Sequence, residues 1–399
     1  MRVSNASTQD TATEIPYRDA APGIHVAVSS AARVTTSGIA SPVATPGTGL
    51  ARFLDASCHR RPDATPVWFM RQAGRCLADY RTLRERYGIL ELAKTPELAA
   101  AVTLMPVRAF GVDAAVLFAD IMLPLEGMGL DLEIEPSIGP IIHNPIRSRA
   151  DVERLRVIEP REDVPFVLES IRLVRRELEG QKAVIGFSGS PFTLACYMIE
   201  GCPSRDYACA KSLMYREPET WDLLLRKLSA VVTRYLTAQI EAGAHVVQLF
   251  DSWVGSLSPA DYVRYVQPHS RRIFRDIAGY GTPTIHFATG AAALLKLMAE
   301  AGGDVISVDH RVLLDDAWAR IGFDRAIQGN LDATRLLAGW PATEEGVRDV
   351  LRRAGGRPGH IFNLGHGVLP DTDPALLTRL VDFVHETTAH DGVTQEVQR

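Results

Sequence analysis

Residues 67–75 read Val67-Trp68-Phe69-Met70-Arg71-Gln72-Ala73-Gly74-Arg75, four large apolar side chains and then a polar turn with two arginines. Consecutive apolar residues suit a strand buried on both faces, as in a parallel sheet covered by helices. The same apolar-to-polar change recurs along the chain. Runs at 67–70, 114–118, 183–187, 246–250, 284–287, 305–308, 326–328 and 361–364 alternate with longer segments of helical period. Eight such units predict a single-domain (β/α)8 TIM barrel, whose catalytic groups come from the C-terminal ends of the strands and the loops after them.

Boundary signals support this reading. Thr95-Pro96-Glu97, Ser258-Pro259 and Asp373-Pro374 each set a capping side chain before a proline at the first helical position, and Gly111, Gly243 and Gly279 are placed to end helices. The connection after the second run is the longest. Its Leu130-Asp131-Leu132-Glu133-Ile134-Glu135 alternation, followed by Pro136 and Gly139, predicts an extra hairpin in the loop after the second strand. Residues 1–48, rich in Ala, Ser, Thr, Pro and Gly, read as a disordered extension, 49–390 as the barrel domain and 391–399 as a disordered tail. Arg2, Arg18 and Arg33 are matched by Asp10, Glu14 and Asp19, against the acidic-poor habit of transit peptides; a misassigned start codon is a further reading.

The 399 residues, 46% hydrophobic and 23% charged, have ordinary globular proportions. A net charge of -5 argues against a nucleic-acid partner. Five cysteines without a CxxC pair suit reduced thiols, and with neither a long apolar span nor a secretory signal the expectation is a cytoplasmic protein with no membrane partner.

The loops after the runs hold the candidate site residues. Arg71 and Arg75 can direct two fixed positive charges at one pocket, which suits a polycarboxylate; an arbitrary pair of this spacing would instead form surface salt bridges. Asp120 follows an apolar run directly, where a carboxylate is functional, paired with a buried arginine, or both. His366 stands between Gly365 and Gly367, which permit close approach of backbone and ligand. Dinucleotide, P-loop, nucleophile-elbow and HExxH motifs are absent, so no cofactor is expected. No metal is expected either, because Ala288 stands where an HxC pair beginning at His286 would need cysteine.

The segment Pro66–Arg75 resembles the N-terminal signature of the uroporphyrinogen decarboxylases, and 186–194 with 197–201 resembles that family's second signature. Blocks at 248–252, 328–332 and 363–367 fit as well, so the resemblance covers about 51–385. It implies removal of the four acetate carboxyls of uroporphyrinogen III, without a cofactor, by a homodimer with paired clefts. It further implies that Arg71 and Arg75 bind substrate carboxylates, with Arg71 a candidate proton donor. Asp120 would face the pyrrole N–H groups, and Tyr197, Ser252 and His366 would supply the remaining polar contacts. Cys76 and Ala78 depart from the expected aromatic and proline, and His310 from an expected Trp.

The chemistry fits the residues. Protonating a pyrrole α-carbon makes the ring its own electron sink, so an ionised Asp120 near the N–H groups would stabilise the cationic ring, a role usually given to a cofactor. The general acid is Arg71, a water it orients, or His366. Two other readings compete: a methyl-transferring relative on the same barrel, which would need zinc, and a tetrapyrrole binder without turnover.

Overall fold

A computed structural model describes residues 44–135 and 138–390. The disorder expected over 1–48 falls, as far as residue 43, outside the described residues, as does the tail at 391–399. Among the described residues are nine strands: β1 (Ala114–Val116), β2 (Leu132–Glu135), β3 (Gly139–Ile142), β4 (Ala183–Gly189), β5 (Val246–Phe250), β6 (Thr284–Phe287), β7 (Val305–Ser307), β8 (Ala326–Leu331) and β9 (His360–Leu364). Seven form one curled parallel sheet in the order β1-β4-β5-β6-β7-β8-β9, while β2 and β3 pair antiparallel with Leu132 opposite Ile142. Parallel neighbours need crossovers, supplied by helices such as Pro218–Ala242, Gln267–Ile277 and Trp340–Ala354. With helices outside and side chains inside, nearly every residue of the seven strands is buried.

The first apolar run departs from expectation, making only an isolated parallel bridge from Val67 to Phe362 rather than a strand. Its backbone donors explain why. Pro66 has none, Val67 N–H donates to the Asp113 carboxylate (2.8 Å), Phe69 N–H to Gln72 Oε1 (2.9 Å) and Met70 N–H to Asn363 Oδ1 (3.1 Å). Side-chain oxygens thus replace a strand ladder. The run still lies between β9 and β1: Phe362 N–H donates to Pro66 O (2.9 Å), Trp68 N–H to Phe362 O (3.3 Å) and Asp113 N–H to Val67 O (2.8 Å).

Buried polar side chains tie this segment into the core. Trp68 Nε1 donates to Gln328 Oε1 (2.8 Å), whose Nε2 donates to Ser307 Oγ (2.8 Å). The fully buried Asp113 also meets His385 Nε2 (2.7 Å), Arg52 Nη1 (3.4 Å) and Lys182 Nζ (3.9 Å), linking three helix and strand ends at one carboxylate.

The helix boundaries follow their signals with two exceptions. Ser258 and Asp373 cap through their side chains, and Gly111 (φ 71°) and Gly243 (φ 115°) end helices in the left-handed region. Thr95 makes no cap bond because its hydroxyl donates to Glu91 O (2.9 Å), at the end of the preceding helix. Gly279 sits inside a short 3-10 turn, and Gly281 (φ 64°) makes the stop. None of the described helices is long and apolar enough to cross a membrane.

Candidate active site

The C-terminal strand ends surround a cleft of about 350 Å³, open to solvent. Its lining includes all six candidate residues: Arg71, Arg75, Asp120, Tyr197, Ser252 and His366. They arrive from five chain segments. Arg71 and Arg75 lie in the turn after the first run, Asp120 follows β1, Tyr197 is on helix Pro191–Glu200 after β4, and Ser252 and His366 follow β5 and β9.

Arg71 has φ 58°, a left-handed conformation unusual for a residue with a side chain. Its stem lies against Gly367, where a Cβ would come within 2.5 Å of Arg71 Cδ and 2.9 Å of its Cβ. Gly365 is held as closely, its missing Cβ falling 2.3 Å from the backbone nitrogen of His310. The glycines beside His366 therefore accommodate neighbouring protein: one makes room for Arg71 and the other for the loop after β7.

Asp120 accepts a hydrogen bond from Met122 N–H (2.8 Å). The cleft leaves it partly accessible, yet surrounding protein pushes its carboxyl above the ordinary value, opposed by that N–H and by Arg71. His366 is exposed to solvent on one side, yet the protein around it, and then the charge of Arg71, hold it below the ordinary imidazole value. Arg75 is pulled down in the same way, by desolvation first and Arg71 second. Burial and the neighbouring Asp120 raise Tyr197 strongly, so its hydroxyl stays a donor. The Tyr197 ring packs on Trp253 (centroids 4.2 Å), which stacks in turn on Tyr207 (4.7 Å).

Reading the polar loops alone misses the walls. Phe118, Phe187, Phe250 and Phe287 line the cleft, and the last three meet edge to face at centroid distances of 5.4 and 5.6 Å. A signal was present: the four apolar runs from the second to the fifth all end in Phe. Of the family departures, Cys76 is buried, Ala78 begins helix Ala78–Arg86, and His310 lies outside the cleft lining with Nε2 4.0 Å from Asp332 Oδ2. Among the described residues no group of three or more His, Cys, Asp or Glu side chains is placed to hold a metal ion.

Strand ends converging on an aromatic-walled cleft, whose lining combines one carboxylate with two guanidinium-bearing residues and an imidazole, define an α/β enzyme acting on a small anionic molecule. The family described as uroporphyrinogen decarboxylase (URO-D) matches residues 48–387, and the chain belongs to that family. It is 56% identical over 335 residues to the uroporphyrinogen decarboxylase of Sorangium cellulosum, covering 84% of this chain and 95% of that one. It is 55% identical over 344 residues to the uroporphyrinogen decarboxylase of a Roseiflexus species, covering 85% and 99%. Among solved structures, a methyltransferase from Methanosarcina mazei matches with a TM-score of 0.73 at 20% identity, covering 85% of this chain and 99% of that one; this likeness concerns the fold alone.

Proposed function

We propose that this protein is a cofactor-independent carboxy-lyase that converts uroporphyrinogen III to coproporphyrinogen III, releasing its four acetate carboxyls as CO2 in tetrapyrrole (haem) synthesis. One observation carries the reading: a partly buried carboxylate shares an aromatic-walled cleft with Arg71, Arg75 and His366. Each decarboxylation begins with a proton added to the pyrrole α-carbon beside the acetate. The C–CO2 electron pair then enters the cationic ring and CO2 leaves. The methylene left behind takes a proton to become methyl, and loss of the α-proton restores the pyrrole. Net, one proton replaces one CO2.

Ionised Asp120 faces the pyrrole N–H groups and stabilises the cationic ring, an effect of about 3–4 kcal/mol by analogy with removal of a preorganised oxyanion donor. Arg71 and Arg75 hold peripheral carboxylates, with Tyr197, Ser252 and His366 completing the polar contacts. The first proton comes from Arg71, a water it orients, or His366.

The curled sheet is read as a complete (β/α)8 ring. The hydrogen bonds of 66–68 to both β9 and the start of β1 support the first run as its eighth stave, and the β2–β3 pairing supports a hairpin over the mouth. The catalytic domain is taken as 49–390, with the termini dispensable; a chain cut to 44–390 should retain full turnover. Family membership supports a cytoplasmic homodimer, and sedimentation of the purified protein tests the oligomeric state.

The deciding experiment is anaerobic incubation with uroporphyrinogen III, without added metal or cofactor, followed by chromatography of the oxidised porphyrins. Seven-, six-, five- and four-carboxyl products are expected. Binding without loss of carboxyl groups would favour a tetrapyrrole carrier instead.

A further inference from the structure

The side-chain amides of Gln72 and Asn363 surround the unusual backbone of Arg71, and neither belongs to the cleft lining. Gln72 is fully buried. Its Oε1 accepts from Phe69 N–H (2.9 Å), its Nε2 donates to Ala114 O (2.9 Å), and its own N–H donates to Phe69 O (3.0 Å). The turn is thereby closed on itself and fastened to β1, the strand that leads to Asp120. Asn363 is also fully buried, and its Oδ1 accepts from both Met70 N–H (3.1 Å) and Leu364 N–H (2.8 Å). Two N–H donors can face only an oxygen, so the orientation of this amide is chemically fixed. It joins the residue before Arg71 to the strand end before His366, and Val368 N–H donating to Met70 O (2.9 Å) adds a second tie.

We infer that Gln72 and Asn363 are positioning residues: they hold the chain in the left-handed turn that sets Arg71 in the cleft it shares with Asp120 and His366. Neither contacts substrate. Both act through Arg71, since an N–H deprived of its side-chain acceptor must find another and the turn would relax toward an ordinary strand conformation. This rests on the carboxylate-binding role proposed for Arg71, so the test separates the two ideas.

The experiment is a double-mutant cycle. Gln72→Met and Asn363→Leu, which keep shape and remove the amide, are each made in the native chain and in Arg71→Lys. The readouts are kcat and KM for uroporphyrinogen III, Kd from quenching of tryptophan fluorescence, and thermal unfolding. In the native background each variant should lower kcat/KM roughly ten- to a hundredfold, the scale expected for about 1 Å of misplacement. In Arg71→Lys the same change should cost about twofold or less, because the group being aimed has already lost its fork. Equal fold losses in both backgrounds would mean a general structural role and overturn the inference. If Arg71→Lys alone changes neither kcat/KM nor Kd, the reading of Arg71 fails and the inference falls with it. Should Asn363→Leu not fold, Gln72→Met decides alone.

Discussion

At the residue scale, Asp120 combines two opposed demands. Surrounding protein disfavours its charge, while the proposed chemistry requires it. Asp120→Asn should lower kcat by about 10²–10³ with little change in KM, as for loss of a preorganised group that acts in the transition state. The same variant should be more stable near neutral pH. The folded-state pKa is raised, so ionisation costs the folded protein more than the unfolded chain; that cost is full above the folded value and vanishes below the unfolded one. The gain in Tm should therefore shrink as pH falls from the raised folded-state value toward the ordinary carboxylate value, and an equal gain at all pH values would count against a titrating Asp120. His366 is shifted downward while Asp120 is shifted upward, so both move into the gap between their ordinary values. The pH profile of kcat/KM separates them: the acid limb should persist in His366→Asn and disappear from the residual activity of Asp120→Asn. The identities of these side chains were legible because each stands at the polar end of an apolar run. Their support was not, since nothing local in the sequence indicates that Gly367 makes room for Arg71 or that Gly365 abuts the loop after β7.

At the scale of elements, apolar runs located seven strands but could not say that the first would be held by side chains. That outcome depends on Asp113 and Asn363, the latter 293 residues from the Met70 it binds, and so lies beyond any local pattern. Gly279 and Gly281 illustrate the limit at a helix end: composition allows either stop, and the intervening 3-10 turn selects the second. Asp113 gives a prediction at this scale. Asp113→Ala leaves His385 and Lys182 without their shared carboxylate and Val67 N–H without an acceptor, so denaturant unfolding should show a loss of about 3–5 kcal/mol. Because Asp113 itself does not line the cleft, KM measured on the folded fraction should change far less than stability does.

For the whole molecule, the net charge of -5 opposes an octa-anionic substrate while Arg71 and Arg75 attract it. Screening length decides between them. At about 10 mM salt charges act over ~30 Å and the net repulsion is felt at approach; at about 100 mM the reach is ~10 Å and the arginine pair dominates. kcat/KM should therefore rise between those conditions and fall again toward about 1 M. A steady fall from the lowest salt onward would show that the pair governs capture at every distance.

The bridge from Val67 to Phe362 brings the start of the domain onto its end. Loop-closure entropy makes so distant a contact a late event, since nearer elements gain their contacts first. During synthesis Arg71 leaves the ribosome long before Asn363 and His366 exist, so the half of the cleft they share can be completed only after β9 has been made. Turnover would then report completion of this seam, whereas helix formation alone would not, and truncated chains rich in helix should remain catalytically silent.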